Sequence, residues 1–91
     1  MTEVHRRIKI KGRVQGVGFR QGALEQAREL GLRATAQNLA SGDVEVHIEG
    51  ELIDAEVFTE WVHRGPLLAK VTAVSFTDEA PSGLVGLRIL T

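Results

Sequence analysis

The chain has 91 residues, 43% of them hydrophobic, with 11 Lys and Arg against 12 Asp and Glu for a formal charge of -1 at pH 7. That length predicts one domain, residues 1–91. The hydrophobic fraction excludes a disordered chain, and the near-neutral balance argues against a dedicated nucleic-acid or membrane-surface protein, which would be basic.

Cysteine is absent. This removes disulfides, thiolate metal sites and thiol nucleophiles, and in so small a chain it favours a reducing cytoplasm over secretion. The N-terminus MTEVHRRIKI lacks the apolar stretch of a signal peptide, and no window approaches the ~18 apolar residues of a membrane span.

Ile8, Ile10 and Val14 alternate with Lys9, Lys11 and Arg13, with Gly12 in the inward place between Ile10 and Val14, and predict a first strand. The glycine-rich turn GRVQGVGFRQG (12–22) follows. From Gln21 to Leu30 the apolar residues Leu24, Ala27 and Leu30 recur every third position, which predicts a helix stopped by Gly31. Leu32 to Leu39 is a weaker strand, and ASGD (40–43) is a hairpin turn with Gly42 where a positive φ is needed. Val44, Val46 and Ile48 alternate with Glu45, His47 and Glu49 in the clearest strand of the chain, which Gly50 closes. A second helix is expected from about Ile53 to His63, with Val57, Phe58, Trp61 and Val62 as its apolar stripe and RGP (64–66) as its stop. Val71 to Thr77 reads as a fourth strand, DEAPSG (78–83) as a loop, and Val85, Leu87 and Ile89 as a short last strand. This order predicts an α+β sandwich of the ferredoxin-like kind, a mostly antiparallel sheet with both helices on one face.

The glycine-rich turn joins a strand to a helix. Gly16 and Gly18 allow backbone conformations that aim successive N–H groups into one concavity, and the helix start adds free N–H groups and the positive end of its dipole. Arg20 stands where its guanidinium could grip a phosphate. The familiar phosphate motifs do not fit: G-x-x-x-x-G-K-S/T is absent, and Gln21 stands where G-x-G-x-x-G requires glycine, with Gly22 one place late. On these residues alone two readings stay open, a phosphate-sized anion site and a tight structural turn beside a surface arginine.

Other polar residues carry weaker signals. Asn38 could simply initiate the turn before ASG. His5, His47 and His63 are scattered without ligand spacing, so no metal is expected, and His47 reads as solvated on the polar side of its strand. The basic run His5, Arg6, Arg7, Lys9, Lys11 and Arg13 reads as a solvated face and edge of strand one, where lysines discourage further pairing. It could also draw anionic substrates weakly toward the turn. Phe58 and Trp61 are expected in the core, and Phe19 as an apolar anchor for the turn. RNA binding on the sheet is disfavoured, because Tyr is absent and other aromatics are few.

The runs GRVQGVGFR, ALEQARELGL, QNLASGDVEVHIEG and FTEWVHRGPLLAKVTAV together resemble acylphosphatase, over nearly the whole chain from Arg7 to Val74. The resemblance implies the ferredoxin-like fold and hydrolysis of the carboxyl-phosphate bond of small acyl phosphates, without metal or cofactor; a monomer is expected, although the sequence does not fix the oligomeric state. It implies a phosphate loop of Gln15, Gly16, Val17, Gly18, Phe19 and Arg20, with Arg20 binding the phosphate and Asn38 positioning the attacking water. The missing acid and base then make sense. The leaving carboxylate belongs to an acid of pKa about 4 and needs no proton at pH 7. A loose phosphoryl-transfer transition state asks mainly for positioning and charge neutralisation.

The chain departs from the family pattern at Ala34, Thr35, Ala36 and Gln37, where glycine, an aromatic residue, valine and arginine are usual. This predicts a thinner, less stable strand. It departs again at Ser41, Leu87 and Thr91, without touching a matched site residue. The alternative reading is a non-catalytic anion- or partner-binding module, since a similar domain begins the much larger hydrogenase-maturation carbamoyltransferase proteins. A chain of 91 residues favours the free-standing enzyme.

Overall fold

The computed structural model describes residues 2–91 and contains β1 (Glu3–Arg13), α1 (Phe19–Glu29), β2 (Arg33–Asn38), β3 (Val44–Glu51), α2 (Leu52–Arg64), β4 (Lys70–Glu79) and β5 (Leu87–Ile89). The strands form one sheet in the order β4-β1-β3-β2-β5. β1 is antiparallel to both β3 and β4, β2 is antiparallel to β3, and β5 runs parallel to β2. This is the ferredoxin-like α+β arrangement, with β5 added beside β2.

Strand alternation builds the core. Ile8 and Ile10 of β1, Val44, Val46 and Ile48 of β3, and Ala34 and Ala36 of β2 are all buried on one face. α1 lays Phe19, Ala23, Leu24 and Ala27 against them, and α2 lays Ala55, Phe58, Thr59 and Val62. β2 is paired on both sides, by β3 and β5, and its small side chains are buried where α1 packs. None of the helices among the described residues is long and apolar enough to cross a membrane.

Several element limits differ from the expected ones for local reasons. β1 begins at Glu3 and β3 continues through Gly50 because the two pair as far as Glu3 with Glu51 and Val4 with Gly50. α2 turns a partly shifted stripe inward: Phe58 and Val62 are buried as expected, but Val57 is exposed and Trp61 half-buried, while Ala55 and Thr59 are buried. Thr59 can face the core because its hydroxyl is satisfied there. It donates to the Ala55 carbonyl at 2.8 Å and accepts from Arg6 Nη1 at 2.9 Å.

The basic first strand is not an edge. β1 lies between β4 and β3, and two of its polar residues are buried. Arg6 points to the helix side. Its guanidinium grips Asp78 of β4 in bidentate fashion (Nε to Oδ1 2.7 Å, Nη2 to Oδ2 2.9 Å), reaches Glu56 of α2 at 2.6 Å, and lies 4.0 Å from the Phe76 ring centre. His5 points to the helix-free face, where the expected solvation of His47 also fails. The two histidines, far apart in sequence, are hydrogen-bonded through His5 Nε2 and His47 Nδ1 at 2.8 Å.

Below them lies Glu49, whose side chain is 1% exposed. Its carboxylate accepts hydrogen bonds from His5 Nδ1 (2.8 Å) and Arg33 Nη2 (3.3 Å). It also accepts from the backbone N–H groups of Ser82 (2.7 Å), Gly83 (3.0 Å) and Leu84 (2.9 Å). The segment from 80 to 86 thus crosses the helix-free face over Glu49, linking β4 at one edge of the sheet to β5 at the other.

Burial alone would raise the Glu49 pKa. The Ser82 N–H, the His5 ring, the Leu84 N–H and the Arg33 guanidinium outweigh it and hold the carboxyl at about 2, against an ordinary 4.5. A lowered folded-state pKa stabilises the fold above the ordinary value, and this contribution is lost as pH falls from about 4.5 toward about 2. Glu49→Gln should therefore unfold more easily at pH 7, by about 2–3 kcal/mol in a urea titration, and should lose part of the wild-type decline in stability through that acid window. An unchanged pH dependence in the variant would contradict this role for Glu49.

Candidate active site

β1 ends at Arg13, and buried Val14 leads into the turn at 15–18. Gly16 (φ 75°) and Gly18 (φ 78°) are both left-handed. A Cβ built on either would meet nothing within 4 Å, so backbone conformation, not space, requires glycine there. Gly18 is the N-cap of α1. It offers no side-chain cap, and no acidic residue stands in the first turn. The opening N–H groups of α1 have no carbonyl inside the helix to bond, and they carry the positive end of its dipole.

The helix starts at Phe19, two residues earlier than its periodicity predicts. Phe19 is buried as the expected anchor, its ring 5.7 Å from that of Trp61. Fixing Phe19 on the core fixes Arg20 beside it, in the first turn of α1.

A cavity of about 250 Å³ opens there. Its polar lining comes from Gly16, Gly18, Arg20, Gln21 and Asn38, and its apolar lining from Val14, Phe19 and Ile89. Arg20 is the only charged residue in this lining, and no carboxylate shares it. Arg20 and Asn38, distant in sequence, therefore meet at one site. Asn38 is the last residue of β2, on the core side of the strand with Ala34 and Ala36. Its backbone is held by Thr91, two residues beyond β5: its N–H donates to the Thr91 carbonyl at 3.1 Å, and the Thr91 hydroxyl donates to its carbonyl at 3.3 Å. Its side-chain Oδ1 is buried, with no hydrogen-bond partner among the described residues. A buried amide oxygen without a partner costs about 1–3 kcal/mol, which makes it a marked feature of this cavity.

Two expected loop residues do not line the cavity with their side chains. Val17 packs half-buried against the core. Gln15 turns toward the β2–β3 hairpin, and its Nε2 donates to the carbonyls of Leu39 (2.8 Å) and Asp43 (2.9 Å). Conversely, the sequence reading missed Val14, Gln21 and Ile89. Ile89 reaches the site only because β5 pairs in parallel with β2, Ala36 opposite Ile89, and a three-residue strand carries too short a pattern to announce that pairing.

A larger hollow of about 320 Å³ lies among Arg7, Lys9, Glu45, Ser75, Phe76 and Thr77. It is walled by side chains of mixed charge on paired strands, without a helix start or a glycine turn to supply converging N–H groups, so the smaller cavity is the better anion site. No group of three or more His, Cys, Asp or Glu among the described residues could hold a metal ion.

The Acylphosphatase family model matches residues 6–86. The acylphosphatase of Thermococcus kodakarensis is 43% identical over 90 residues, covering 99% of each chain. The solved structure of an acylphosphatase from Coxiella burnetii superposes with a TM-score of 0.91 at 33% identity, over 96% of this chain and 92% of that one. Full-length HypF, solved in a phosphate- and nucleotide-bound form, also contains this fold (TM-score 0.91, 27% identity), but the chain covers only 12% of it. With a family model across most of its length and a full-length relative well above chance identity, the chain belongs to the acylphosphatase family of enzymes.

Proposed function

We propose that this protein hydrolyses the carboxyl–phosphate bond of small acyl phosphates, releasing a carboxylate and inorganic phosphate, with no metal or cofactor. The observation that carries the reading is the meeting of Arg20 and the unpartnered Asn38 Oδ1 in one cavity at the uncapped start of α1.

The phosphoryl group sits in the turn. Backbone N–H groups of the turn and the first residues of α1 donate to its oxygens, and the Arg20 guanidinium supplies the one full positive charge. Asn38 receives the nucleophile. Its Oδ1 accepts a hydrogen bond from a water, which aims the water's lone pair at phosphorus. As the new P–O bond forms, the bond to the acyl oxygen breaks, and its electron pair leaves on the carboxylate. The water's proton passes to a phosphate oxygen, which keeps the step balanced without a protein base. The carboxylate departs unprotonated, because its conjugate acid is strong. A phosphate monoester, whose alkoxide must be protonated as it leaves, should be a poor substrate for a cavity without an acid.

A steady-state assay with benzoyl phosphate tests the reading, and a wild-type rate no faster than the buffer blank would sink it. Phosphate binding by calorimetry without turnover would instead favour a binding module. Arg20→Gln should lower kcat/KM by about 10²–10³-fold and weaken competitive inhibition by inorganic phosphate about tenfold or more, since it removes a charge-assisted contact to the phosphate itself. Asn38→Ala should lower kcat by about 10²-fold and leave phosphate inhibition within about twofold of wild type, because its partner is the water.

A further inference from the structure

We infer that Gln15 is a positioning residue, not a phosphate ligand: its carboxamide straps the phosphate turn to the β2–β3 hairpin and so sets the distance between Arg20 and Asn38. The inference rests on the reading above that Asn38 places the attacking water.

A glutamine amide nitrogen carries two protons, and both are used here. One goes to the Leu39 carbonyl at 2.8 Å and the other to the Asp43 carbonyl at 2.9 Å. Leu39 directly follows Asn38. Asp43 directly precedes Val44, the residue paired with Asn38 across the hairpin. Gln15 therefore grips both arms of the hairpin immediately beyond the Asn38–Val44 pair. The hairpin's own closure is sparse: Leu39 N–H to Asp43 O at 2.8 Å and Gly42 N–H to Leu39 O at 3.1 Å, with Ala40, Ser41 and Gly42 exposed. On its other side Gln15 adjoins Gly16, which lines the cavity. One half-buried side chain thus spans the two parts of the site that must hold the phosphate and the water in line.

A displacement of about 1 Å between reacting groups can cost about 10²-fold in rate. Gln15→Met keeps the length of the side chain and removes both donors. With benzoyl phosphate its kcat should fall about 10- to 100-fold, while the competitive inhibition constant of inorganic phosphate stays within about twofold, since the turn N–H groups and Arg20 are intact. In an Asn38→Ala background the same change should cost no more than about a further twofold, because a strap that acts through Asn38 has nothing left to position. A purely structural defect would raise the phosphate constant and lower kcat in both backgrounds alike. If Gln15→Met does not fold, Gln15→Asn keeps both donors on a stem too short to reach both carbonyls, and it should show the same split. An inhibition constant raised tenfold with kcat preserved would make Gln15 a phosphate ligand and overturn the inference, and so would losses that multiply fully in the double variant. Unchanged kcat for Gln15→Met in an active enzyme overturns the inference alone, whereas a wild type without turnover overturns it together with the reading beneath it.

Discussion

Glu49 is the residue on which the outer half of the molecule depends. Its buried carboxylate collects three successive backbone N–H groups, those of Ser82, Gly83 and Leu84. The chain leaves β4 at one edge of the sheet and must reach β5 at the other, across three strands. A crossing without regular structure would be a mobile loop unless its N–H groups found strong acceptors on the way. Glu49 supplies them at the middle of the sheet, and Arg33 extends the hold by donating to the Leu84 carbonyl at 3.1 Å. Once the crossing is pinned, β5 can pair with β2. Ile89 then becomes a wall of the cavity, and Thr91 meets the backbone of Asn38. A charge on the helix-free face thereby helps to shape a site on the opposite one.

That dependence explains which parts of the molecule were readable beforehand. The alternation of Val44, Val46 and Ile48 depends only on neighbours in sequence, and the strand stands where it predicts. Gly16, Gly18 and Arg20 form a local unit, so the turn and its arginine could be read from a short window, and the resemblance then pointed to Asn38. Besides Gln15 and Val17 of the turn, the misreadings fall on polar residues of β1 and on His47. Alternation says that His5 and Arg6 face opposite sides of the sheet, but not what lies over either side. Arg6 is buried because Glu56, Thr59 and Asp78 arrive from α2 and β4 to satisfy it. His5 is buried because Glu49 and the crossing segment cover it. Such partners lie 44 to 77 residues away in sequence, and no local pattern contains them. The shifted face of α2 has the same origin, since Thr59 turns inward where Arg6 provides its donor.

The division of labour at the cavity follows from the substrate chemistry proposed for it. A bond whose leaving group needs no proton frees the protein from supplying an acid, and a loose transition state asks little push from a base. What remains is electrostatic and geometric. On that proposal the electrostatic part falls largely to main-chain N–H groups, which only a proline substitution would remove, with Arg20 adding one charge. The lining holds no carboxylate to repel the phosphate. The acid nearest in the hairpin, Asp43, is mostly buried and paired with Lys11 Nζ at 3.1 Å, so its charge is offset.

On the same proposal the geometric part falls on residues that hold the site in place. Phe19 sets the first turn of α1 on the core, Thr91 holds the backbone of Asn38, and Gln15 ties turn to hairpin. Each works through ordinary packing or backbone hydrogen bonds, and none would look catalytic by residue type. In a site whose chemistry needs no proton transfer to the protein, rate depends on how firmly two groups are held apart at the right distance. On that reading the glutamine beside the glycine turn, with both its amide protons spent on the hairpin, is part of the frame and not of the cradle.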